Sequence, residues 1–311
     1  MDNAFTRYYP TTSERDAWLS AIWEKAVNTK VTVIKAENPI ARPYFGPGHI
    51  KGCGFLLFSP EGRRPFYVYW QPVQSRRGPL LIHLPGGGAE FITHPDLTMR
   101  GYNILDVNPL GLCTPDGRDA VLWGSHLLPS VMVDTYTKGV DHGYGEWLVD
   151  CVIAVEWARR QSSVCSDRFA FFGTSQGGFG SLLMSSLYHD KGACCTAAEE
   201  PFAADFACAA QLDLPDSIVY NTIVTEIEAL EDPGEGYRAM GYIDIANHID
   251  RLDIPVLLLA GGSDILIPYQ SVKSLYEKLT GIKSIIEWPG HPHDFSPLFI
   301  NMTIAWFDQY L

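Results

Sequence analysis

Residues 173–177 have the sequence Gly-Thr-Ser-Gln-Gly, which is the spacing of a nucleophilic serine on a sharp turn. An apolar run, 169–172, precedes this turn and predicts a buried strand, and residues 178–188 predict a helix. The flanking positions must be glycine because side chains two residues from Ser175 would make strand and helix collide. This context predicts that Ser175 is a nucleophile. The alternative is a glycine-rich turn with an incidental serine.

A nucleophilic serine requires a general base within hydrogen-bond reach and an acid that orients the base. On a strand-turn-helix nucleophile, these groups follow one another along the chain in the order serine, acid, histidine. Asp264 directly follows the apolar run 254–260 and its glycine-rich turn, and it is the predicted acid. His291 and His293 both follow the last predicted strand, 284–288, and their spacing alone leaves them equal candidates for the base.

The same two histidines form an H-x-H pair, which is also a pattern of metal ligands. The chain contains neither an H-x-H-x-D-H nor an H-E-x-x-H pattern. The sequence therefore predicts no metal site, and it predicts no cofactor.

Acyl transfer to a serine also requires backbone N–H groups that stabilise the developing oxyanion. The N–H of Gln176, the residue after the nucleophile, is the predicted first donor. The second donor is expected in the glycine-rich loop that begins at His83, which we interpret as a supporting or structural residue. Pro85 in this loop has no N–H to donate. The second donor is therefore expected to be Gly86 or Gly87.

Short apolar runs predict the strands that must position these groups. Besides the three runs given above, the predicted strands are 53–58, 66–70, 79–84, 103–107 and 193–198. The first two are expected to pair antiparallel through a turn at 59–62. The predicted helices are 13–27 with Ser13 as N-cap, 143–161, 269–280 and 297–310. This alternation predicts an α/β fold with a doubly wound, mostly parallel sheet that binds ligands at the carboxyl ends of its strands.

The length of 311 residues suits one large domain, expected to cover residues 1–311. Its N-terminal part, 1–49, is expected to be a helix followed by an irregular extension. Residues 201–240 are expected to form a small helical cap inserted between two core strands, since they include the acidic amphipathic stretch 218–230. Residues 110–141 are expected to form a long loop.

Composition limits the partners of the chain. The formal net charge is −13 at pH 7 and the basic residues are scattered, so we expect neither nucleic acid nor an anionic membrane as partner. The N-terminus lacks a basic-then-apolar signal pattern, and no apolar run reaches the roughly 18 residues that cross a bilayer. Seven cysteines without a C-x-x-C pair favour a reducing, cytoplasmic location.

Several motifs resemble one family, the acetyl xylan esterase and cephalosporin C deacetylase group (carbohydrate esterase family 7) of α/β-hydrolases. The similar segments are the N-terminal helix 17–25, the G-x-S-Q-G-G turn at 173–178, and residues 200–206, 242–248 and 254–264. The resemblance covers nearly the whole chain and implies an α/β-hydrolase fold. Members place the catalytic histidine just before an acidic residue, which implies that His293, followed by Asp294, is the base.

The chain departs from this family in two places. Residues 108–110, Asn-Pro-Leu, stand where members have Arg-Gly-Gln. The His-Gly-Tyr oxyanion loop of the family, aligned on His83, places Pro85 at the donor position, whereas a shift of two residues places Gly87 there. The family often forms hexamers, and a homo-oligomer is therefore expected, but 110–141 is shorter than usual and a hexamer is not carried over.

The sequence thus predicts a serine esterase that hydrolyses short-chain acyl esters, above all acetyl esters of a sugar or a related small alcohol. Ser175, His293 and Asp264 would act through an acyl-enzyme. One alternative is another serine acyl hydrolase, such as a peptidase. The other is a non-catalytic binding protein of the same fold, which Pro85 and the missing Arg-Gly-Gln motif would allow.

Overall fold

The computed structural model describes residues 4–37, 53–74, 77–87, 91–111, 128–212 and 218–311. The strands in these ranges form a nine-stranded sheet in the order β1-β2-β3-β5-β4-β6-β7-β8-β9. Their bounds are β1 (Val31–Ala36), β2 (Gly54–Pro60), β3 (Phe66–Gln71), β4 (Gly78–Leu84), β5 (Asn103–Asn108), β6 (Val164–Thr174), β7 (Ala193–Glu199), β8 (Val256–Gly261) and β9 (Lys283–Trp288).

The helices of the described residues connect and cover these strands. They are α1 (Ala4–Tyr8), α2 (Thr12–Asn28), α3 (Pro95–Arg100), α4 (Ser130–Lys138), α5 (Tyr144–Arg159), α6 (Gln176–Leu187), α7 (Phe206–Ala209), α8 (Ile218–Glu228), α9 (Pro233–Ile243), α10 (Tyr269–Lys278) and α11 (Pro297–Tyr310). Two 3-10 segments, Pro109–Gly111 and Ile245–Arg251, complete the set.

The sheet is doubly wound and mostly parallel, as predicted. Strands β5, β4, β6, β7, β8 and β9 pair in parallel, whereas β1, β2, β3 and β5 pair antiparallel in that order. The chain passes from β4 to β5 on one side of β4, and then crosses back to β6 on the other side of β4. The carboxyl ends of β4 and β6 therefore form the crevice in which such sheets bind their ligands.

The core lies on both faces of this sheet, which explains the continuous apolar runs of its central strands. In β6, Phe169 and Phe171 belong to the hydrophobic cluster on one face, together with residues of α2, α5 and α6. Ala170 and Phe172 belong to the cluster on the other face, with residues of α11. This two-sided burial fixes the strand that carries the candidate nucleophile.

Strand β1 corrects the prediction that residues 29–49 are irregular. Val31–Ala36 pairs antiparallel with β2 at the edge of the sheet. Its side chains are half-buried or exposed, and Ile34 is 54% exposed, so the segment lacks a strong apolar signal. The β-branched run 31–34 could have indicated the strand. The remainder of the predicted extension, from 38 onward, lies outside the described residues.

Two helix predictions also need correction. Helix α4 lies within the predicted loop 110–141, where residues 112–127 are outside the described part. Its β-branched composition gives a weak helical signal, and buried Val131, Met132 and Tyr136 indicate that tertiary packing stabilises it. The N-cap of helix α2 lies two residues earlier than predicted, at Thr11, because Thr11 and Glu14 form a capping box and Ser13 lies inside the helix.

The segment predicted as a cap is helical where it is described. Helices α7, α8 and α9 follow β7, and residues 213–217 between them lie outside the described part. Helix α1 packs on them, with the ring of Phe5 stacked on Phe206 at 5.3 Å and edge-on to Tyr237 at 4.9 Å. Its role as a cap stays a prediction.

Within the described ranges, no helix combines the length and apolarity needed to cross a membrane. The cysteines in these ranges are free thiols, namely Cys53, Cys151, Cys165, Cys194, Cys195 and Cys208. Cys113 lies outside the described residues.

Candidate active site

Ser175 stands on a strained turn between β6 and α6. Its φ of 58° and ψ of −119° are rare for a residue with a side chain, and such a conformation costs roughly 1–3 kcal/mol. Backbone hydrogen bonds hold it in place. The Ser175 N–H donates to Glu199 O at 2.8 Å, and the N–H groups of Phe179 and Phe202 donate to Ser175 O at 3.0 and 3.2 Å. The surrounding structure thus fixes the turn that presents the hydroxyl.

The glycines around Ser175 are required by close approaches of the backbone. A Cβ on Gly173 would lie 2.6 Å from Leu84 O and 2.7 Å from the carbonyl carbon of Gly177. A Cβ on Gly177 would lie 2.1 Å from Leu84 O. The contact between Gly173 and Gly177 is the collision of strand and helix that the sequence predicts. The contacts with Leu84 O show that side chains at these positions would also clash with the end of β4.

Three parallel strands bring together the predicted nucleophile, base and acid. Ser175 follows β6, Asp264 follows β8 and His293 follows β9. The Ser175 Oγ lies 3.0 Å from His293 Nε2, and His293 Nδ1 lies 2.7 Å from Asp264 Oδ2. The other oxygen of Asp264 accepts the backbone N–H groups of Leu266 and Ile267 at 2.8 Å each. An imidazole in this position can accept a proton from Ser175 Oγ at Nε2 while its Nδ1–H donates to the Asp264 carboxylate.

His291 occupies a different position in the same loop. Its ring stacks on Trp288 with a centroid distance of 4.1 Å, and its Nε2 lies 3.0 Å from Asp294 O. Its carbonyl oxygen accepts the N–H of Ser263 at 2.9 Å, which ties the loop after β9 to the loop after β8. The structure therefore places His293, and not His291, against Ser175.

A hydrogen bond joins the two segments that are predicted to carry the oxyanion donors. Gln176 is the first residue of α6, where backbone N–H groups point outward and the helix dipole favours negative charge. Its buried side chain donates from Nε2 to Gly86 O at 3.3 Å and accepts the Tyr144 hydroxyl at Oε1 at 3.1 Å. Gln176 thereby braces the glycine-rich loop. That the second N–H comes from Gly86 or Gly87 stays a prediction.

A buried polar network anchors the start of that loop. His83 Nδ1 lies 2.8 Å from Asp106 Oδ1, and Gln71 Nε2 donates to Asp106 Oδ2 at 2.7 Å. Burial raises the pKa of Asp106 to about 7 and lowers the pKa of the neighbouring His94 to about 3. His83 thus lies in the core beneath the loop, in agreement with its interpretation as a supporting residue.

Sequence reasoning missed two buried glutamates at the end of β7. Glu200 is 1% exposed, and its Oε2 lies 3.2 Å from His293 Nδ1. Burial, followed by the charge of Asp264, raises its pKa to about 9. Glu199 accepts the Thr174 hydroxyl at 2.6 Å, and burial raises its pKa to about 8. Two consecutive acids at the carboxyl end of a strand beside β6 were the available signal.

Two groups of side chains in the described residues could meet around a metal ion. One consists of His83, His94 and Asp106, and the other of Glu200, Asp264 and His293. In both groups a histidine Nδ1 is within 2.8 Å of an aspartate oxygen and therefore already has a proton to donate or share. Both groups are thus organised as hydrogen-bonded networks, and the expectation of no metal site stays a prediction.

A mostly parallel sheet with a serine on the turn after β6, an acid after β8 and a histidine after β9 defines an α/β-hydrolase. The sequence model of the acetyl xylan esterase family matches residues 125–311. The chain belongs to this family, which confirms the resemblance stated above. It is accordingly a carboxylic ester hydrolase.

Solved structures show the same fold. Acetyl xylan esterase 1 from Thermoanaerobacterium sp. JW/SL YS485 superposes with a TM-score of 0.75 at 19% identity, over 96% of this chain and 94% of that one. The acetyl xylan esterase from Paenibacillus sp. R4 gives 0.72 at 18% identity, over 99% and 98%. An acylaminoacyl peptidase from Pyrococcus horikoshii gives 0.58 at 15% identity, over 94% of this chain and 43% of that one.

Proposed function

We propose that the protein is a serine esterase that removes short acyl groups, above all acetyl groups, from a sugar or a related small alcohol. The observation that carries the proposal is the continuous hydrogen-bonded chain from Ser175 Oγ through His293 to Asp264, with distances of 3.0 and 2.7 Å. This chain supports general-base activation of the serine.

In the acylation step, Ser175 Oγ attacks the ester carbonyl carbon while its proton passes to His293 Nε2. The negative charge on the carbonyl oxygen is stabilised by the N–H of Gln176 and by that of Gly86 or Gly87. Asp264 stabilises the imidazolium. As the tetrahedral intermediate collapses, the ester C–O bond breaks and His293 returns the proton to the leaving alkoxide, which departs as the alcohol.

In the deacylation step, a water molecule takes the place of the alcohol. His293 removes a proton from the water, the hydroxide adds to the acyl carbon, and the oxyanion forms at the same donors. Collapse breaks the bond between the acyl carbon and Ser175 Oγ, and His293 returns the proton to that oxygen. The acid product, acetate for an acetyl ester, is then released with the enzyme restored.

A buried aromatic cluster is linked to the backbone of Ser175. Phe202, whose N–H donates to Ser175 O, lies in a buried aromatic cluster. Its ring centroid is 5.9 Å from Phe179, 5.6 Å from Phe206 and 5.7 Å from Tyr220. These rings belong to the main hydrophobic core, and the preference for a small acyl group is proposed from membership of the acetyl xylan esterase family.

Hydrolysis of p-nitrophenyl esters by the wild type and the Ser175→Ala variant tests the chemistry. We expect a loss on the order of 10⁴-fold or more in kcat for the variant. A variant with near wild-type activity would overturn the proposal. The acyl preference is tested by comparing acetate with octanoate esters, and a strong preference for octanoate would contradict it.

The leaving group is tested separately with aminoacyl p-nitroanilides and acetylated sugars. Release of acetate from acetylated sugars with little release of p-nitroaniline supports the esterase. The opposite result would favour the peptidase alternative, which uses the same chain of Ser175, His293 and Asp264.

Location and assembly are also proposals. A cytoplasmic location is supported by the free thiols among the described residues, and cell fractionation tests it. A homo-oligomer is supported by family membership, and size-exclusion chromatography with light scattering tests it.

A further inference from the structure

Two carboxyl groups face the same nitrogen of His293. Asp264 Oδ2 lies 2.7 Å from His293 Nδ1, and Glu200 Oε2 lies 3.2 Å from it. The strand order explains this arrangement, because Glu200 follows β7, Asp264 follows β8 and His293 follows β9. The Glu200 N–H also donates to Leu259 O in β8 at 2.7 Å, which fixes Glu200 at the edge where the three loops meet.

The local structure is shaped around the Glu200 side chain. Glu200 has a φ of 45°, in the left-handed region that side-chain-bearing residues seldom adopt. A Cβ on Gly261, at the end of β8, would lie 2.6 Å from His291 O and 2.8 Å from Glu200 Oε1, so this glycine leaves space for both groups. An unfavourable backbone conformation and a glycine that makes room for a buried acid together indicate that the carboxyl has a function at this position.

The two carboxyl groups differ in the hydrogen-bond donors that surround them. Asp264 accepts two backbone N–H groups through its Oδ1. For Glu200, the backbone N–H of Asp294 and His293 Nδ1 favour the anion, but neither forms a well-aligned hydrogen bond with its oxygens. Two buried carboxylates beside one N–H repel each other, so the pair holds one proton between them. That proton resides on Glu200, because Asp264 is the better stabilised anion.

The charged and titratable groups around Glu200 reinforce this assignment. Asp264, Glu199 and Asp294 raise its pKa electrostatically, in addition to burial. His291 Nε2 is 4.0 Å from Glu200 Oε1 and is held by Asp294 O. Among the described residues, the basic groups within 4.0 Å of the Glu200 carboxyl are His291 and His293, and His293 is the nearer of the two at 3.2 Å.

We propose that Glu200 is a positioning residue for His293 and a second acceptor for its Nδ1–H. In the wild type the neutral carboxyl confines the imidazole, and Asp264 accepts the Nδ1–H. When the charge of Asp264 is removed, Glu200 loses its proton to solvent and accepts the Nδ1–H in its place. This inference rests on the proposed role of His293 as general base.

The Asp264→Asn variant exposes this second acceptor. Removal of a triad aspartate usually costs about 10⁴-fold in kcat, because the imidazole takes the wrong tautomer. Here the loss should be smaller by at least about tenfold, since ionised Glu200 restores the tautomer. Glu200 must be deprotonated to accept the Nδ1–H. The pH profile of Asp264→Asn should therefore have an ascending alkaline limb that the wild-type profile lacks. That limb should disappear in the double variant Asp264→Asn with Glu200→Gln.

The experiment measures kcat/KM for p-nitrophenyl acetate against pH in a double-mutant cycle of Asp264→Asn and Glu200→Gln. In the wild-type background, Glu200→Gln should lower kcat/KM by less than about tenfold. In the Asp264→Asn background, the factor by which Glu200→Gln lowers kcat/KM should be at least about tenfold larger. Glu199→Gln is the matched control, because Glu199 is an equally buried neighbouring acid that contacts Thr174 instead. It should lower activity by the same factor in both backgrounds.

Equal costs of Glu200→Gln in both backgrounds would overturn the inference. If Glu200→Gln does not fold, the pH profile of Asp264→Asn alone decides. An alkaline limb supports the second acceptor, and a profile of wild-type shape overturns it. The proposed function is judged separately with Ser175→Ala, since activity retained in that variant refutes the esterase mechanism whatever the cycle shows.

Discussion

The backbone of Gly177 packs against the carbonyl oxygen of Leu84, so closely that a Cβ on Gly177 would lie 2.1 Å from that oxygen. Through this contact the first turn of α6 fits against the end of β4, and the side chain of Gln176 donates to Gly86 O in the loop that follows β4. The sharp turn at Ser175 therefore depends on the close packing of α6 against the end of β4, as well as on the strand β6 that precedes it.

Replacing Gly177 with alanine should disturb this contact. We expect a loss of roughly 1–3 kcal/mol in the free energy of unfolding and a large loss of kcat, because β4 and α6 must separate. Gly54→Ala is the matched control, since nothing lies within 4 Å of a Cβ at that position. Urea denaturation and esterase assays measure both effects. A fully active and stable Gly177→Ala protein would show that the turn tolerates a larger distance between β4 and α6, which would contradict this prediction.

The side chain of Gln176 should act through the glycine-rich loop. Gln176→Ala removes the hydrogen bond to Gly86 O and leaves the backbone N–H of residue 176 in place. We expect kcat to fall roughly ten- to hundredfold with little change in KM, since oxyanion stabilisation is a transition-state effect.

Tyr144→Phe is the control for that variant, because it removes only the hydrogen bond between Tyr144 and Gln176 Oε1. It should lower kcat much less than Gln176→Ala does. An equal loss in the two variants would mean that the hydrogen bond to Gly86 has no special role in catalysis.

The two histidines of one loop should behave differently. His293→Ala should lose on the order of 10⁴-fold in kcat, because the base is gone. His291→Ala should mainly reduce thermal stability, since it removes the stacking on Trp288. Steady-state kinetics and melting curves of the pair separate the two roles. A larger kinetic loss for His291→Ala than for His293→Ala would reverse the assignment.

Glu199 should make the stability of the protein depend on pH. Its pKa is raised to about 8 in the folded protein, mainly by burial, whereas an unfolded glutamate titrates near 4.3. Between these values the folded state retains a proton that the unfolded state releases. The contribution is therefore fully present below about pH 4 and is lost as the pH rises toward 8, by up to a few kcal/mol.

The Glu199→Gln variant should lack this dependence. Its free energy of unfolding, measured with urea from pH 5 to 8, should decline less steeply than that of the wild type. Parallel declines in the two proteins would show that Glu199 titrates normally in the folded state.

Local sequence signals were sufficient for the central fold. Strands buried on both faces have continuous apolar runs, and the helix at 297–310 begins and ends as predicted. The serine turn and Asp264 were predicted because each directly follows an apolar run and includes or follows a glycine-rich turn. Edge strand β1 and helix α4 were missed because tertiary pairing and packing, rather than their own composition, stabilise them.

Side-chain direction was the part that the sequence could not supply. His291 and His293 lie two residues apart on one loop, and only the stacking of His291 on Trp288 separates them. Glu200 reaches His293 because of its positive φ and the space at Gly261. The family resemblance implied His293, and the two consecutive acids after β7 were a signal for Glu200, but spacing alone does not show which side chain contacts which.

The central claim is that Ser175 is the nucleophile, and active-site labelling tests it most directly. The wild type and Ser175→Ala are treated with a fluorophosphonate, and the adduct is located by intact mass and peptide mapping. We predict one adduct per chain, on the peptide that contains Ser175, with loss of esterase activity in proportion to labelling and no adduct in Ser175→Ala. An unlabelled Ser175 in an active enzyme, or an adduct that persists in Ser175→Ala, would contradict it.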